Sequence, residues 1–292
     1  DVNGLGQSGP TMYGHDPKKY QNIFKSFGWN TVIVDGHSIS HIINTFKKLR
    51  NVKGPKAIIA KTFKGNGVSF LKNKEGWHGK PLNKDELARA LTELHVDPKI
   101  NGKDLVKKIS SSSVIPSETK AHTTSQRKYK LGSMIATREA YGHALLDIMK
   151  CDKKIIAIDG DVKNSTCVDD ISKELPKQFI ESFIAEQNMV GMALGLSKRN
   201  FIPFVATFAC FFTRAFDQIR MAAYSFANIK FSGSHSGVSI GPDGPSQMGL
   251  EDIAMFRTLP GSVVLYPSDA TSTSACVRIA NEHTGITYIR TS

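Results

Sequence analysis

FIAEQNMVGMALGLS (Phe183–Ser197), followed within a few residues by FIPFVATF (Phe201–Phe208), decides the fold class. The first stretch opens on one carboxylate, Glu186, and then turns apolar through Met189, Val190, Met192, Ala193, Leu194 and Leu196, which reads as a helix. Gly191 and Gly195 lie four apart, so they clear one helix face for close approach of another backbone. The second stretch, rich in β-branched and aromatic residues, reads as a strand. An acid at a helix start is favoured by the helix dipole, by about 0.3–1 kcal/mol, so capping alone could place Glu186 there.

The same alternation extends in both directions. KIIAIDGD (Lys154–Asp161), IKFSGSH (Ile229–His235), SVVLYPSD (Ser262–Asp269) and TYIR (Thr287–Arg290) are further strands, with helical stretches between them. Upstream, NTVIVDG (Asn30–Gly36) and KAIIAKTFKG (Lys56–Gly65) are strands, and SISHIINTFKKLR (Ser38–Arg50) is a helix capped by Ser38. LNKDELARALTEL (Leu82–Leu94) is a second helix with Leu87, Ala90 and Leu94 on one face. Alternating strands and helices predict an α/β protein with doubly wound, mainly parallel sheets, which place ligands at the carboxyl ends of their strands. Periodicity fades over 97–131, where Ser, Thr and Lys accumulate, so the expected organisation is a domain at 1–96, a linker at 97–131 and a domain at 132–292.

The chain has 292 residues, 40% hydrophobic and 22% charged, a length that suggests about two domains. No apolar run approaches the roughly 18–20 residues of a membrane span. The net charge of +12 is uneven: residues 1–133 carry 23 Lys+Arg against 10 Asp+Glu, residues 134–292 carry 15 against 16. The lysines are scattered without a helix-turn-helix or an aromatic RNA-binding signature, so they read as solvated surface and not as a nucleic-acid site. Cys151, Cys167, Cys210 and Cys276 show no CxxC spacing, which reads as reduced thiols in an intracellular, cytoplasmic protein. Asn164-Ser165-Thr166 matches a glycosylation sequon but reads as a loop. The chain starts at Asp1 without a signal peptide and stops straight after TYIR, so both ends look cut.

Walker and zinc-protease motifs are absent. Polar clusters at predicted strand ends remain: DGHS (35–38), KTFKGNG (61–67), WHGKP (77–81), IATREAYG (135–142), DGDVKNST (159–166), IAEQNM (184–189), TFACFFTRAFDQIR (207–220) and GSHSGVSIGPDGPSQMGLEDIAMFR (233–257). In this order and spacing they resemble the animal type of transketolase, a thiamine-diphosphate-dependent family, over essentially the whole chain.

That resemblance implies a function and a set of roles. DVNGLGQS is similar to the tail of the family's thiamine-diphosphate motif, so Asn3 gives Mg²⁺ its side-chain oxygen and Leu5 a backbone carbonyl, with Ca²⁺ or another divalent ion able to substitute. The motif's Gly-Asp-Gly would lie before Asp1, a second phosphate-binding arginine after Ser292, and the family's third domain is missing. Lys64 and His78 match residues near the diphosphate and the reacting centre. Glu186 matches the glutamate that shares a proton with the aminopyrimidine ring nitrogen, in an apolar setting. Phe208 and Phe211 match the aromatic wall around that ring, and Gln247 a polar cofactor contact. Arg138, Ser165 and His235 match binders of a sugar phosphate, and Asp243 the carboxylate that reads a substrate hydroxyl. The implied activity moves a two-carbon ketol unit from a ketose phosphate to an aldose phosphate, in the non-oxidative pentose phosphate pathway. It runs in a homodimer whose active site lies at the subunit interface, with no nucleic-acid or membrane partner. The alternatives are a dihydroxyacetone synthase-type enzyme and a non-catalytic transketolase-like protein that only dimerises.

Overall fold

The computed structural model describes residues 1–96 and 127–292, so most of the predicted linker lies outside the described residues. The chain divides into two compact units, Asp1–Ile115 and Pro116–Ser292.

The first unit runs α1 (Pro17–Ser26), β1 (Asn30–Asp35), α2 (Ile39–Leu49), β2 (Lys56–Lys61) and α3 (Lys84–Glu93). β1 and β2 pair in parallel, Asn30 against Lys56 through Asp35 against Lys61. Local chemistry sets the helix starts. Ser38 accepts the His41 N–H, and Asn83 and Glu86 close a reciprocal capping box. The expected face of α3 is only partly buried: Ala90 is covered, but Leu87 is 47% and Leu94 45% exposed. This helix is held by a polar contact instead, the Ser69 hydroxyl donating to Glu93 at 2.8 Å.

The second unit runs α4 (Thr137–Cys151), β3 (Ile155–Asp159), α5 (Lys163–Thr166), α6 (Asp169–Glu174), β4 (Phe179–Glu181), α7 (Glu186–Ser197) and β5 (Ile202–Phe208). A 3₁₀ segment Ala209–Ala215, α8 (Phe216–Tyr224), β6 (Lys230–Ser234), α9 (Asp252–Arg257), β7 (Val263–Leu265), α10 (Ala270–Glu282) and β8 (Thr287–Arg290) complete it. The six strands form one all-parallel sheet in the order β4-β3-β5-β6-β8-β7.

Side chains alternate across this sheet, and each face has its own core. Ile156, Ile158, Val205 and Phe231 pack under α7 and α8 with Met189, Val190, Ala193, Ile219 and Ala222. Ile155, Ala157, Phe204 and Ala206 pack under α4 and α10 with Tyr141, Leu145, Met149, Val277 and Ala280. Burial on both faces explains the near-continuous apolar strand sequences. It also leaves one place where polar groups can gather, the edge at which all six carboxyl ends emerge. The four cysteines are free.

Candidate functional site

In the first unit the predicted residues collect beyond the ends of β1 and β2. Val2 bridges to Lys61, its N–H donating to the Ala60 carbonyl at 2.8 Å, which lays the first residues alongside β2. Lys64 Nζ reaches His78 Nδ1 at 3.2 Å and the Gly6 carbonyl at 3.5 Å. An ammonium only donates, so Nδ1 of His78 accepts and the ring proton resides on Nε2. Asn3 Oδ1 accepts the Leu5 N–H at 3.0 Å, and its Nδ2 donates to Asp1 Oδ1 at 2.7 Å. Asn3 therefore shapes a turn, yet its amide oxygen keeps a second lone pair. The described residues contain no group of three His, Cys, Asp or Glu able to hold a metal. A hard cation at Asn3 and Leu5 would complete its shell with oxygens from elsewhere, which is how Mg²⁺ binds beside diphosphates.

In the second unit the predicted residues follow successive strand ends. Ser165 lies after β3, Glu186 after β4, Phe208 at the end of β5, and His235, Asp243 and Gln247 after β6. Arg138 enters at the start of α4, where its N–H donates to the Ser292 carbonyl beyond β8 at 3.3 Å. Phe208 stacks between Phe211 (5.0 Å between centroids, 6° between planes) and His235 (3.9 Å, 16°), giving three nearly parallel rings. Burial and the Arg138 guanidinium hold the His235 imidazole below its ordinary value, against the pull of the Asp243 carboxylate, so these three groups share one electrostatic neighbourhood.

Glu186 begins α7 and is 3% exposed. Its setting differs from the expected purely apolar one, because Arg214 Nη1 donates to Oε1 at 2.6 Å. A cation at that distance offsets part of the cost of burying the carboxylate. Oε2 is buried without a hydrogen-bond partner among the described residues. Leaving such an oxygen unpaired costs about 1–3 kcal/mol, more than the dipole gain at a helix start. The backbone near these residues is also strained. Asp161, Phe183 and His235 have φ of 66°, 55° and 54°, in the left-handed region that side chains seldom adopt. Glu181 braces two of them, accepting the N–H of Asp161 at 3.0 Å and of Phe183 at 3.2 Å while pairing with Lys163 at 2.7 Å.

Two supporting residues escaped the sequence reading. Arg214 stood in a quoted cluster, but no local spacing reveals that it meets a carboxylate 28 residues earlier. Asp159 ends β3 fully buried; Oδ1 accepts the Val162 N–H and Oδ2 the Thr166 hydroxyl, both at 2.7 Å, which folds the loop that presents Ser165. Its acid-glycine-acid setting was the one available signal. The same bond buries the hydroxyl of the sequon, whose three residues lie in the short helix α5 and not in the expected loop.

Burial pushes the Asp159 carboxyl from 3.8 up to about 6, helped by Glu181 and opposed by Thr166, Val162 and Lys163. A folded-state value above the unfolded one means a contribution fully present below about pH 4 and lost as pH rises through about 6. Asp159→Asn keeps an acceptor for Val162 and can donate to Thr166, whose hydroxyl also has the Val162 carbonyl at 3.3 Å. Urea midpoints are expected to show the wild type losing about 2 kcal/mol relative to this variant between pH 4 and 7, from a shift of roughly two units. Parallel pH profiles would contradict that origin.

Comparison with known proteins follows the same division. Residues 1–129 match the family described as "Transketolase, thiamine diphosphate binding domain", and residues 133–292 match "Transketolase, pyrimidine binding domain". The chain belongs to the transketolase family. It is 48% identical to human transketolase over 293 residues and 50% identical to mouse transketolase-like protein 2 over 302 residues, covering 100% of this chain and 47% of each relative. The chain thus spans about half the length of the curated relatives it matches. Among solved structures, Campylobacter jejuni transketolase aligns with a TM-score of 0.83 at 21% identity, over 100% of this chain and 50% of that one. Pichia stipitis transketolase in complex with sedoheptulose-7-phosphate aligns at 0.79 and 20%, with the same coverage. At such identities these two show the shared fold, a parallel-sheet α/β transketolase architecture. No helix among the described residues is long and apolar enough to cross a membrane.

Proposed function

We propose that this chain works as part of a thiamine-diphosphate- and Mg²⁺-dependent transketolase that moves a two-carbon ketol unit between sugar phosphates. The reading places it in the cytoplasmic, non-oxidative pentose phosphate pathway, in a homodimer with the active site at the subunit interface. The observation that carries it is Glu186: a buried carboxylate with one oxygen held by Arg214 and the other without a partner among the described residues. Such an oxygen suits a ligand nitrogen that can share a proton.

Thiamine diphosphate, when bound, supplies the electron sink that lets a ketose carbon–carbon bond break and re-form. The chain's own residues do the rest. Glu186 Oε2 would share a proton with the aminopyrimidine nitrogen, and Phe211, with Phe208 stacked behind it, would offer a face to a flat heterocycle. Gln247 contributes a polar cofactor contact. Lys64 neutralises phosphate charge, and Asn3 and Leu5 would hold Mg²⁺ or Ca²⁺ through two oxygens. His78 and His235, both with nitrogens free to exchange protons with hydroxyls, orient the sugar together with Ser165. Arg138 takes the phosphate end of the substrate and Asp243 reads a hydroxyl. Gly191 and Gly195 leave open space on α7, since nothing among the described residues lies within 4 Å of a β-carbon built on either. A second subunit's backbone fits such a face.

The complete polypeptide that carries this chain is expected to bind thiamine diphosphate in a Mg²⁺-dependent manner by calorimetry. It is also expected to transfer ketol units from a ketose phosphate to an aldose phosphate. Binding without turnover would instead mark a non-catalytic transketolase-like protein. Efficient turnover only with formaldehyde as acceptor would mark a dihydroxyacetone synthase-type enzyme.

A further inference from the structure

The loop between β6 and α9 carries His235, Asp243 and Gln247, and its interior bonds are local. Gln247 N–H donates to the Gly244 carbonyl at 3.2 Å, and Met248 N–H to the Pro245 carbonyl at 3.3 Å. Its conformation is therefore set at its neck. There Gly249 pairs with Ser236 and Gly237, and the Gly237 N–H donates to the Gly249 carbonyl at 2.8 Å. The Ser236 hydroxyl donates to the Thr291 carbonyl at 2.7 Å. Gly249 is wedged so tightly that a β-carbon on it would lie 2.6 Å from that of Ala209, the residue after Phe208.

A buried charged network reaches this neck from the sheet. Asp252, 1% exposed at the start of α9, accepts the Tyr288 hydroxyl at 2.6 Å and Arg290 Nε at 2.8 Å, both on Oδ2. Arg290 Nη2 then donates to the Gly249 carbonyl at 3.0 Å, the oxygen that also closes the neck onto Gly237. Its guanidinium lies 4.6 Å from the Tyr266 ring centroid. One planar fork thus serves a carboxylate and a loop carbonyl at fixed separation, which a lysine ammonium cannot do. Burial and the Asp252 charge push the Tyr288 phenol far up, so it stays a donor. An apolar core would close this sheet end without burying a charge pair, and such pairs are a weak source of stability.

We propose that Arg290, locked by Asp252 and Tyr288, is a positioning residue: through Gly249 it sets where the loop presents Asp243 and Gln247 to substrate and cofactor. The proposal rests on the function assigned above to those two side chains. It adds a specificity element that lies beneath the site and touches neither ligand.

The test compares wild type, Arg290→Lys and Tyr288→Phe in the complete polypeptide by amide hydrogen exchange with mass spectrometry, alongside steady-state kinetics. Arg290→Lys is expected to speed exchange over residues 236–250 by about tenfold or more, the loss of a charge-assisted bond, while the 202–208 peptide of β5 stays unchanged. KM for the ketose phosphate is expected to rise about tenfold with kcat within about twofold, as removal of substrate-positioning contacts does. Tyr288→Phe, which deletes one hydroxyl and keeps the packing, should show the same loop-confined pattern at about threefold, the smaller worth of a neutral donor. Unchanged loop exchange, or acceleration as large in β5 as in the loop, would overturn the clamp. If Arg290→Lys does not fold, Tyr288→Phe decides by the same criterion. Loop-confined acceleration with an unaltered KM would refute the link to substrate. A wild type without any transfer would sink the functional reading instead, leaving exchange to judge the clamp.

Discussion

Replacing Glu186 by glutamine in the complete polypeptide is expected to lower ketol transfer by about 10²–10⁴-fold, the range for losing a positioned proton-transfer group. The substitution preserves shape and leaves an acceptor oxygen for Arg214, whose bond to Oε1 is 2.6 Å. What it removes is the ability of the second oxygen to share a proton. At about 1.4 kcal/mol per decade the predicted loss is about 3–5 kcal/mol in the transition state. The alternative role, an acid favoured at the start of α7, is worth about 0.3–1 kcal/mol and would appear in stability, not in rate. The two roles therefore separate cleanly. A thermal midpoint shifted by only a few degrees together with a collapse in turnover supports the assigned role. Near-normal turnover would end it, whatever the stability does.

The fold was more legible than the site, for a reason that particular residues make plain. Ser38 and Asn83 cap their helices through bonds to the next few residues, and such local chemistry is written in a short window. The core strands β3 and β5 announce themselves because burial on both faces demands apolar side chains at nearly every position, whereas β6 is as fully buried with Phe231 as its one apolar side chain. Phe179–Glu181 escaped notice because a three-residue edge strand has too little pattern to stand out from a loop. The face of α3 illustrates a further limit. Periodicity marks Leu87, Ala90 and Leu94 as neighbours, but nothing local says what will cover them, and only Ala90 is covered.

The candidate site divides along the same line. Quoted motifs led to Lys64, His78, Glu186, Phe208, Phe211 and His235 through resemblance, and the structure adds contacts within each unit: the Lys64–His78 pair and the three-ring stack. The residues that hold them were silent. Arg214 meets Glu186 and Asp252 meets Arg290 across 28 and 38 positions of sequence, and such pairings are fixed only by topology. A parallel sheet converts distant strand ends into neighbours, so the support for a site is the part least visible along the chain.

Gly142→Ala is expected to destabilise the second unit by about 3 kcal/mol and to lower its thermal midpoint by roughly 6–12 °C. Gly142 lies inside α4, where alanine would ordinarily gain about 1 kcal/mol in helix propensity. Here the added methyl would sit 1.8 Å from the Cys167 carbonyl oxygen and 2.8 Å from its carbonyl carbon. Both are backbone atoms at the end of α5, in a residue already at φ 61°, so no side chain can turn aside. Overpacking then exceeds the propensity gain. The displaced elements are the helix that starts beside Arg138 and the turn that presents Ser165, so KM for a sugar phosphate should rise in whatever fraction folds. Gly191→Ala is the control for the energetic argument. Its methyl would meet nothing within 4 Å among the described residues, and the helix should gain up to about 1 kcal/mol. If both substitutions move the midpoint of the isolated chain in the same direction, the close approach at Cys167 is not what fixes glycine at position 142.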